Sequence, residues 1–257
     1  MTQCLQFHFR QQPYRFVFRM DFFLLCLFFV ILFCVLGVWQ VHRYQYKKTL
    51  LFTYQHRLES APVPFSPLML GLNVSRQNAD QTLQFQPVEM EGHYVNALTM
   101  LVQNQVYKGQ MGVEVLTPLQ IAGEKKLLLV DRGWVRKPNN DTMPSIKPIS
   151  GTQRINGYIK ILNEYQFILG KNIYYPSASP IVMQKIDTDE ISRMTHQSFY
   201  PFILRLGDSG AAGYVRDWTI ITVLPQRHMG YAVQWFLMAM VLFIAYFCFC
   251  CERKNNG

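Results

Sequence analysis

Two long apolar runs dominate the hydrophobic pattern of this chain, one near each end. Residues 22–41 read FFLLCLFFVILFCVLGVWQV and residues 229–251 read MGYAVQWFLMAMVLFIAYFCFCC, neither with a charged side chain. At about 1.5 Å of rise per residue, a helix of either run reaches across a hydrocarbon core roughly 30 Å thick. Both runs therefore predict transmembrane helices. Arg10, Arg15 and Arg19 precede the first run as the basic segment of a secretory signal would. The run is longer than the about 7–15 apolar residues of such a signal, and no A-x-A cleavage site follows, so an uncleaved anchor is expected.

Between the spans the pattern changes from helical to alternating. Short runs rich in β-branched and aromatic residues at 86–95, 98–107, 111–118, 126–135, 154–162, 201–206 and 214–223 read as strands. Turn signals separate them at Glu91-Gly92, Tyr107-Lys108-Gly109, Ala122-Gly123, Lys137-Pro138-Asn139-Asn140 and Gly207-Asp208-Ser209-Gly210. Asp187-Thr188-Asp189-Glu190 has the form of a capping box, with Glu190 reaching back to the cap, ahead of a helix at 191–196. Residues 44–58 continue the first membrane helix, whereas 60–86, with Pro62, Pro64 and Pro67, read as a loop or arm. The expected fold is a membrane protein in which two transmembrane α-helices flank a mainly antiparallel β (α+β) extracytoplasmic domain. Its expected parts are a cytoplasmic segment at 1–21, a span at 22–41, and a helical extension with a proline-containing arm at 42–85. A β-rich domain at 86–227, a second span at 229–251 and a cytoplasmic tail at 252–257 complete it.

Charge alters this picture only in sidedness. The chain of 257 residues carries a net +9, but residues 42–227 hold 20 Lys and Arg against 14 Asp and Glu, spread without a stripe. That distribution argues against nucleic acid and leaves membrane lipid as the partner of the basic ends. Arg10, Arg15, Arg19, Arg253 and Lys254 place both termini in the cytoplasm, although Arg43, Lys47, Lys48 and Arg57 nearly balance them after the first span. Cysteine usage breaks the tie. All six cysteines, Cys4, Cys26, Cys34, Cys248, Cys250 and Cys251, lie in the termini or spans, and residues 42–227 have none, as suits an oxidising compartment. The middle domain is read as periplasmic, or as facing the intermembrane space if the membrane is mitochondrial.

Motifs of enzyme chemistry are missing from the sequence: there is no G-x-S-x-G, P-loop or H-E-x-x-H. Gly207, Gly210 and Gly213 read as a turn, and His56, His93 and His196 are scattered without a local partner. Asn73-Val74-Ser75 and Asn140-Asp141-Thr142 match the glycosylation pattern, which is too common to carry a conclusion. Cys248, Cys250 and Cys251 would suit a soft metal, but His228 lies about 30 Å away at helical rise and cannot share it, which favours apolar fillers or acylation sites. The mouth of the second span is more informative. His228, Tyr231, Ala232 and Trp235 fall at i, i+3, i+4 and i+7, one helical face. A neutral imidazole there can ligate haem iron, with small Ala232 leaving room for a ring plane. An aromatic belt at the membrane interface explains the same residues. Trp39, Gln40 and Arg43 lie at the same level of the first span, where an arginine pairs with a carboxylate or with lipid phosphate.

These residues, taken in order, resemble a known family. Gly37-Val38-Trp39-Gln40-Val41-His42-Arg43 with Lys47 is similar to the G-x-W-Q-x-x-R-x-x-x-K signature of the Surfeit locus protein 1 family. Glu91-Gly92-His93-Tyr94, the run at 112–119 (GVEVLTPL) and the run at 129–135 (LVDRGWV) resemble further blocks of that family, as do Gly157-Tyr158, Arg216-Asp217-Trp218 and the closing 227–236 (RHMGYAVQWF). Asp131 departs from the usual asparagine and adds a carboxylate beside Arg132. The resemblance implies assembly of cytochrome c oxidase without enzymatic activity. Its implied partners are haem a, the haem-bearing catalytic subunit and haem a synthase. On that basis His228 is the expected axial ligand, Tyr231 and Trp235 flank the macrocycle, Arg43 pairs with a propionate, and Trp39 and Gln40 shape the opposing helix. Gly92, Gly133 and Trp134 are expected to shape the β domain. A haem-independent membrane chaperone that stabilises the nascent oxidase subunit is the alternative, whereas an enzyme acting on haem finds no acid–base or redox constellation.

Overall fold

The computed structural model describes residues 6–9, 12–66, 83–138, 142–162, 172, 180–207, 214–218, 220–221 and 223–253. Its described helices are α1 (Met20–Leu58), α2 (Thr188–Thr195) and α3 (Pro225–Cys250). Contacts divide the chain into two compact units, Met1–Phe52 with Thr219–Gly257, and Thr53–Trp218.

In the first unit, α1 and α3 are both long and apolar enough to cross a membrane. Side chains such as Phe28, Val35, Val241 and Ile244 are exposed on them. A helix apolar on nearly every side satisfies its own backbone and suits lipid rather than water. The seam between the two is lined by small residues. Ala232 and Ala239 are buried, and a Cβ on Gly37 would come within 2.8 Å of the Phe236 ring, so only a glycine permits this approach. Pro225 opens α3, where its missing N–H is no loss. Toward the other end, Cys26, Tyr246 and Cys250 pack into a small buried cluster. An unexpected antiparallel sheet joins the ends of this unit: β1 (Gln6–Phe9), β2 (Gln12–Phe16) and β11 (Cys251–Arg253), in the order β1-β2-β11.

The second unit is a closed barrel with additions. Its strands are β3 (Val63–Pro64), β4 (Pro87–Tyr94), β5 (Met100–Tyr107), β6 (Gln110–Ile121), β7 (Leu127–Arg136), β8 (Thr152–Ile161), β9 (Ile181–Met183) and β10 (Phe199–Leu206). They run in the order β3-β4-β8-β10-β7-β6-β5-β9, and a further β4–β6 pairing closes β4, β8, β10, β7 and β6 into a ring. The pairs are antiparallel except β7–β10, β3–β4 and β5–β9. Closure turns on Gly92, which pairs with Gln153 of β8 and Ile121 of β6. A Cβ there would run into the Gln120 carbonyl, so a side chain would hold the two strands apart.

Alternation along the strands sorts the apolar residues onto two faces. Leu128, Val130, Ile159, Phe202, Leu204 and Leu206 belong to one core cluster, with Val88, Met90 and Leu119. Leu127, Leu129 and Ile203 belong to another, with Met100, Leu116, Met183 and Ile191 of α2. Tyr54, edge-on to Phe85 and Tyr158, and Arg57, donating to the Gln84 carbonyl at 2.9 Å, are also part of this unit.

Six expected strands appear with shifted ends, and the seventh does not. Among its described residues, 214–218 make only an isolated bridge between Val215 and Trp134. Side chains use the neighbouring backbone instead: Arg216 donates to the carbonyls of Arg132 (3.2 Å) and Gly207 (2.6 Å), and Trp218 to that of Leu206 (3.0 Å). The apolar pattern there reports burial rather than a ladder. The helix cap is partly as expected, with Asp187 accepting from the N–H groups of Asp189 and Glu190. Glu190, however, accepts from Asn172 at 2.7 Å and does not reach back. Strands β3 and β9 were too short to show a period. Gly210 and Gly213, Asn73 to Ser75, Asn140 and Asp141, and the arm at 67–82 lie outside the described residues.

Asp131 does not sit against Arg132 as the sequence suggested. It lies opposite Arg205 in the parallel β7–β10 pair, and its carboxylate accepts from Arg205 Nε at 3.3 Å and from the Gly133 N–H at 3.3 Å. Arg205 also reaches Glu114 at 3.7 Å and lies 4.5 Å over the Trp218 ring. Arg132 occupies another position, fully buried between Tyr94 and Tyr214, and donates to Thr117 Oγ1 and the Lys147 carbonyl, both at 3.2 Å. Burial pushes the Asp131 carboxyl up to about 7, with Glu114 adding to the rise and Arg205, Lys160 and the Gly133 N–H opposing it. Between the ordinary value of 3.8 and about 7, the folded chain holds a proton that the unfolded chain has released. This contribution to stability is complete below that window and is lost as pH rises through it. Asp131→Asn keeps the acceptor for Gly133 and removes the titration. Its melting temperature relative to wild type should therefore climb from pH 3.8 to about 7 and level off above, as read by calorimetry across pH.

Candidate functional site at the mouth of the second helix

His228 stands in the opening turns of α3, and its Nδ1 lies 2.8 Å from Gln40 Oε1 of α1. An amide oxygen only accepts, so Nδ1 carries the proton and Nε2 keeps its lone pair. Nε2 is buried and has no partner. Lys47, on the same stretch of α1 and buried, donates from Nζ to the Val223 carbonyl at 3.1 Å, just ahead of Pro225. It fixes the entry of the chain into α3. No acidic residue occupies the first turn of α3 to offset the positive end of that helix. Arg43 is exposed with its guanidinium 5.5 Å from the Tyr46 ring.

Of the residues singled out from the sequence, the structure brings His228 and Gln40 together and spreads the others around them. Tyr231 is 48% exposed and Trp39 56% exposed, whereas Trp235 is half-buried with its ring 5.7 Å from that of Phe33. Ala232 overturns one expectation. It is 1% exposed and belongs to the packed seam, so no ring plane lies over it. The i, i+3, i+4, i+7 face is thereby divided, with Ala232 buried and Tyr231 exposed. Lys47 was quoted only as part of a motif. The cue to its role was its spacing of seven from Gln40, which places both on one helix face.

Elsewhere the described residues contain no group of three His, Cys, Asp or Glu placed to hold a metal ion. His93 is exposed on β4, and His196 adopts the left-handed conformation that ends α2. Cys248 is exposed and Cys250 buried, so the three clustered cysteines of the sequence point in different directions. Gly92 closes the barrel, and Trp134 Nε1 donates to the Gln105 carbonyl at 3.3 Å, in keeping with structural roles.

Two apolar helices, one β-barrel unit and a histidine with one nitrogen unpaired define the class, a membrane-associated protein whose polar site lies between its apolar helices. The sequence profile of the SURF1 family matches residues 27–240, and the chain belongs to that family. It is similar to a "SURF1-like protein" of Dictyostelium discoideum, 30% identical over 100 residues, 38% of this chain and 37% of the relative. A "SURF1-like protein" of Monosiga brevicollis is 28% identical over 140 residues, 49% of each chain. "Surfeit locus protein 1" of Xenopus tropicalis is 25% identical over 221 residues, 78% of this chain and 66% of the relative. The matches to the first two thus span half of those relatives' length or less.

The Lys47 bond gives a direct test of how the site is held. In Lys47→Met the Val223 carbonyl loses its charged donor, at a cost of about 1–3 kcal/mol. Thermal unfolding of the detergent-solubilised protein should show a lower midpoint.

Proposed function

We propose that this protein is an assembly factor for cytochrome c oxidase that binds haem a through His228 Nε2 while the haem-bearing catalytic subunit is built. Family membership supports the role in assembly. One observation carries the haem reading: His228 has its Nδ1 proton committed to Gln40 and its Nε2 lone pair buried without a partner. Leaving a buried polar atom unpaired is unfavourable unless something else pairs with it, and a neutral imidazole nitrogen is a fitting axial ligand for haem iron. Haem, when bound, supplies the iron that this nitrogen ligates. The chain's own residues do the rest. Arg43, exposed, and the α3 N-terminus favour the carboxylates of the macrocycle, and Tyr231 and Trp39 offer apolar surface to its faces. The filled seam at Ala232 confines the approach to the outer side of α3.

The reading extends to place and partners. The two helices anchor the chain in the inner membrane, with both termini in the cytoplasm or mitochondrial matrix and the β domain in the periplasm or intermembrane space. The catalytic oxidase subunit and haem a synthase are its partners there, one receiving and the other supplying the haem.

Wild-type protein purified in detergent from cells that synthesise haem a should carry a haem a absorption band that is lost in His228→Ala. Extracted pigment gives the stoichiometry. A folded wild type without haem that copurifies with the oxidase subunit would replace this reading by that of a haem-independent chaperone. Sidedness is tested separately. Lys108 lies exposed in the β5–β6 turn of a segment without cysteines, so Lys108→Cys adds one thiol there. A membrane-impermeant maleimide should label that thiol from the periplasmic face of intact cells.

A further inference from the structure

We propose that Gln40 is a positioning residue that fixes the tautomer of His228 and so decides which nitrogen faces iron. The inference rests on the haem reading and adds a second residue to it. The neutral histidine side chain in water prefers its proton on Nε2, which would present iron with a donor instead of a lone pair. Gln40 Oε1, 2.8 Å from Nδ1, reverses that preference.

The bond also explains why a polar residue stands at this point. Gln40 is only 9% exposed and lies three residues beyond Gly37, where a Cβ would run into the Phe236 ring of α3. An amide buried in such a seam is unfavourable without a partner, and leucine or methionine would fill the same volume. The hydrogen bond to His228 supplies the partner. It holds the ring as well as the proton, because rotation of the imidazole away from Gln40 would bury an unpaired N–H. Partners that orient a ligating histidine in this way change metal affinity by about 10–100-fold when they are removed.

Two substitutions separate this from a packing role. Gln40→Met keeps the volume and removes the acceptor, whereas Gln40→Glu keeps an acceptor at the same position. The first readout needs no haem. Full-length protein with 15N-labelled histidine, solubilised in detergent, is compared by NMR with His228→Ala to assign the ring nitrogens. Wild type and Gln40→Glu should carry the proton on Nδ1, and Gln40→Met should move it to Nε2. The second readout is titration with haem a. Gln40→Met should bind about 10–100-fold more weakly than wild type, with Gln40→Glu restoring most of the loss. An unchanged tautomer in Gln40→Met overturns the inference, whatever haem does. A changed tautomer in a protein that binds no haem supports the positioning of His228 and overturns the haem reading alone. Equal haem affinity in Gln40→Met and wild type, with His228→Ala unable to bind, overturns the inference and leaves the haem reading standing.

Discussion

A backbone polar group that leaves water must find its partner within the chain, and both units of this protein are answers to that constraint. In α1 and α3 each peptide group bonds along its own helix, the only open-ended solution that hydrocarbon permits. In the second unit the sheet solves the same problem by pairing β4 on both edges, so that β4, β8, β10, β7 and β6 leave no free edge between them. The same rule extends to side chains. Gln40 and His228 pair with each other at the seam, and Lys47 with the Val223 carbonyl, because no water is assured to replace either partner.

The blocks that resemble the family divide by role. Those in the barrel surround buried cations. The run at 112–119 contributes Glu114 and Thr117, the run at 129–135 contributes Asp131 and Arg132, and Trp218 covers Arg205. Arg132 and Arg205 are held by carbonyl, hydroxyl, carboxylate and aromatic faces. The blocks at the ends of the helices hold Gln40 and His228, paired with each other. A shared motif therefore marks the buried cations of the barrel in one place and a polar pair between the helices in another.

Elements with a long period were legible in the sequence. The two apolar runs became α1 and α3, and the alternating runs became the strands of the barrel, because burial on one side leaves a regular trace. Short or non-repeating elements were not legible: β3 and β9 are too brief, and 214–218 joins β7 by the single bridge of Val215 with Trp134 rather than by a ladder. The site was half legible. His228 and Gln40 were named from motif and helical level, but their bond joins residues 188 apart in sequence. Ala232 was misread because a small residue on a helix face can mean open space or close packing, and nothing in one helix shows what lies opposite. Asp131 stands beside Arg132 in the chain, and its partner Arg205 lies on another strand, because alternation along a strand turns adjacent side chains to opposite faces.

The parallel pairing of β7 with β10 bears on the order in which the chain is built. One edge of Leu127–Arg136 pairs with β6, but the other finds its partner only in Phe199–Leu206, and without β10 the ring between β7 and β8 stays open. Most of the domain must therefore emerge before the barrel can close, and such distant contacts make for slow folding. During that delay the edges of β7 and β8 are unpaired on a chain that the first apolar helix already tethers. The chain's own assembly thus has an aggregation-prone interval, which ends only when residues just ahead of the second helix have been made.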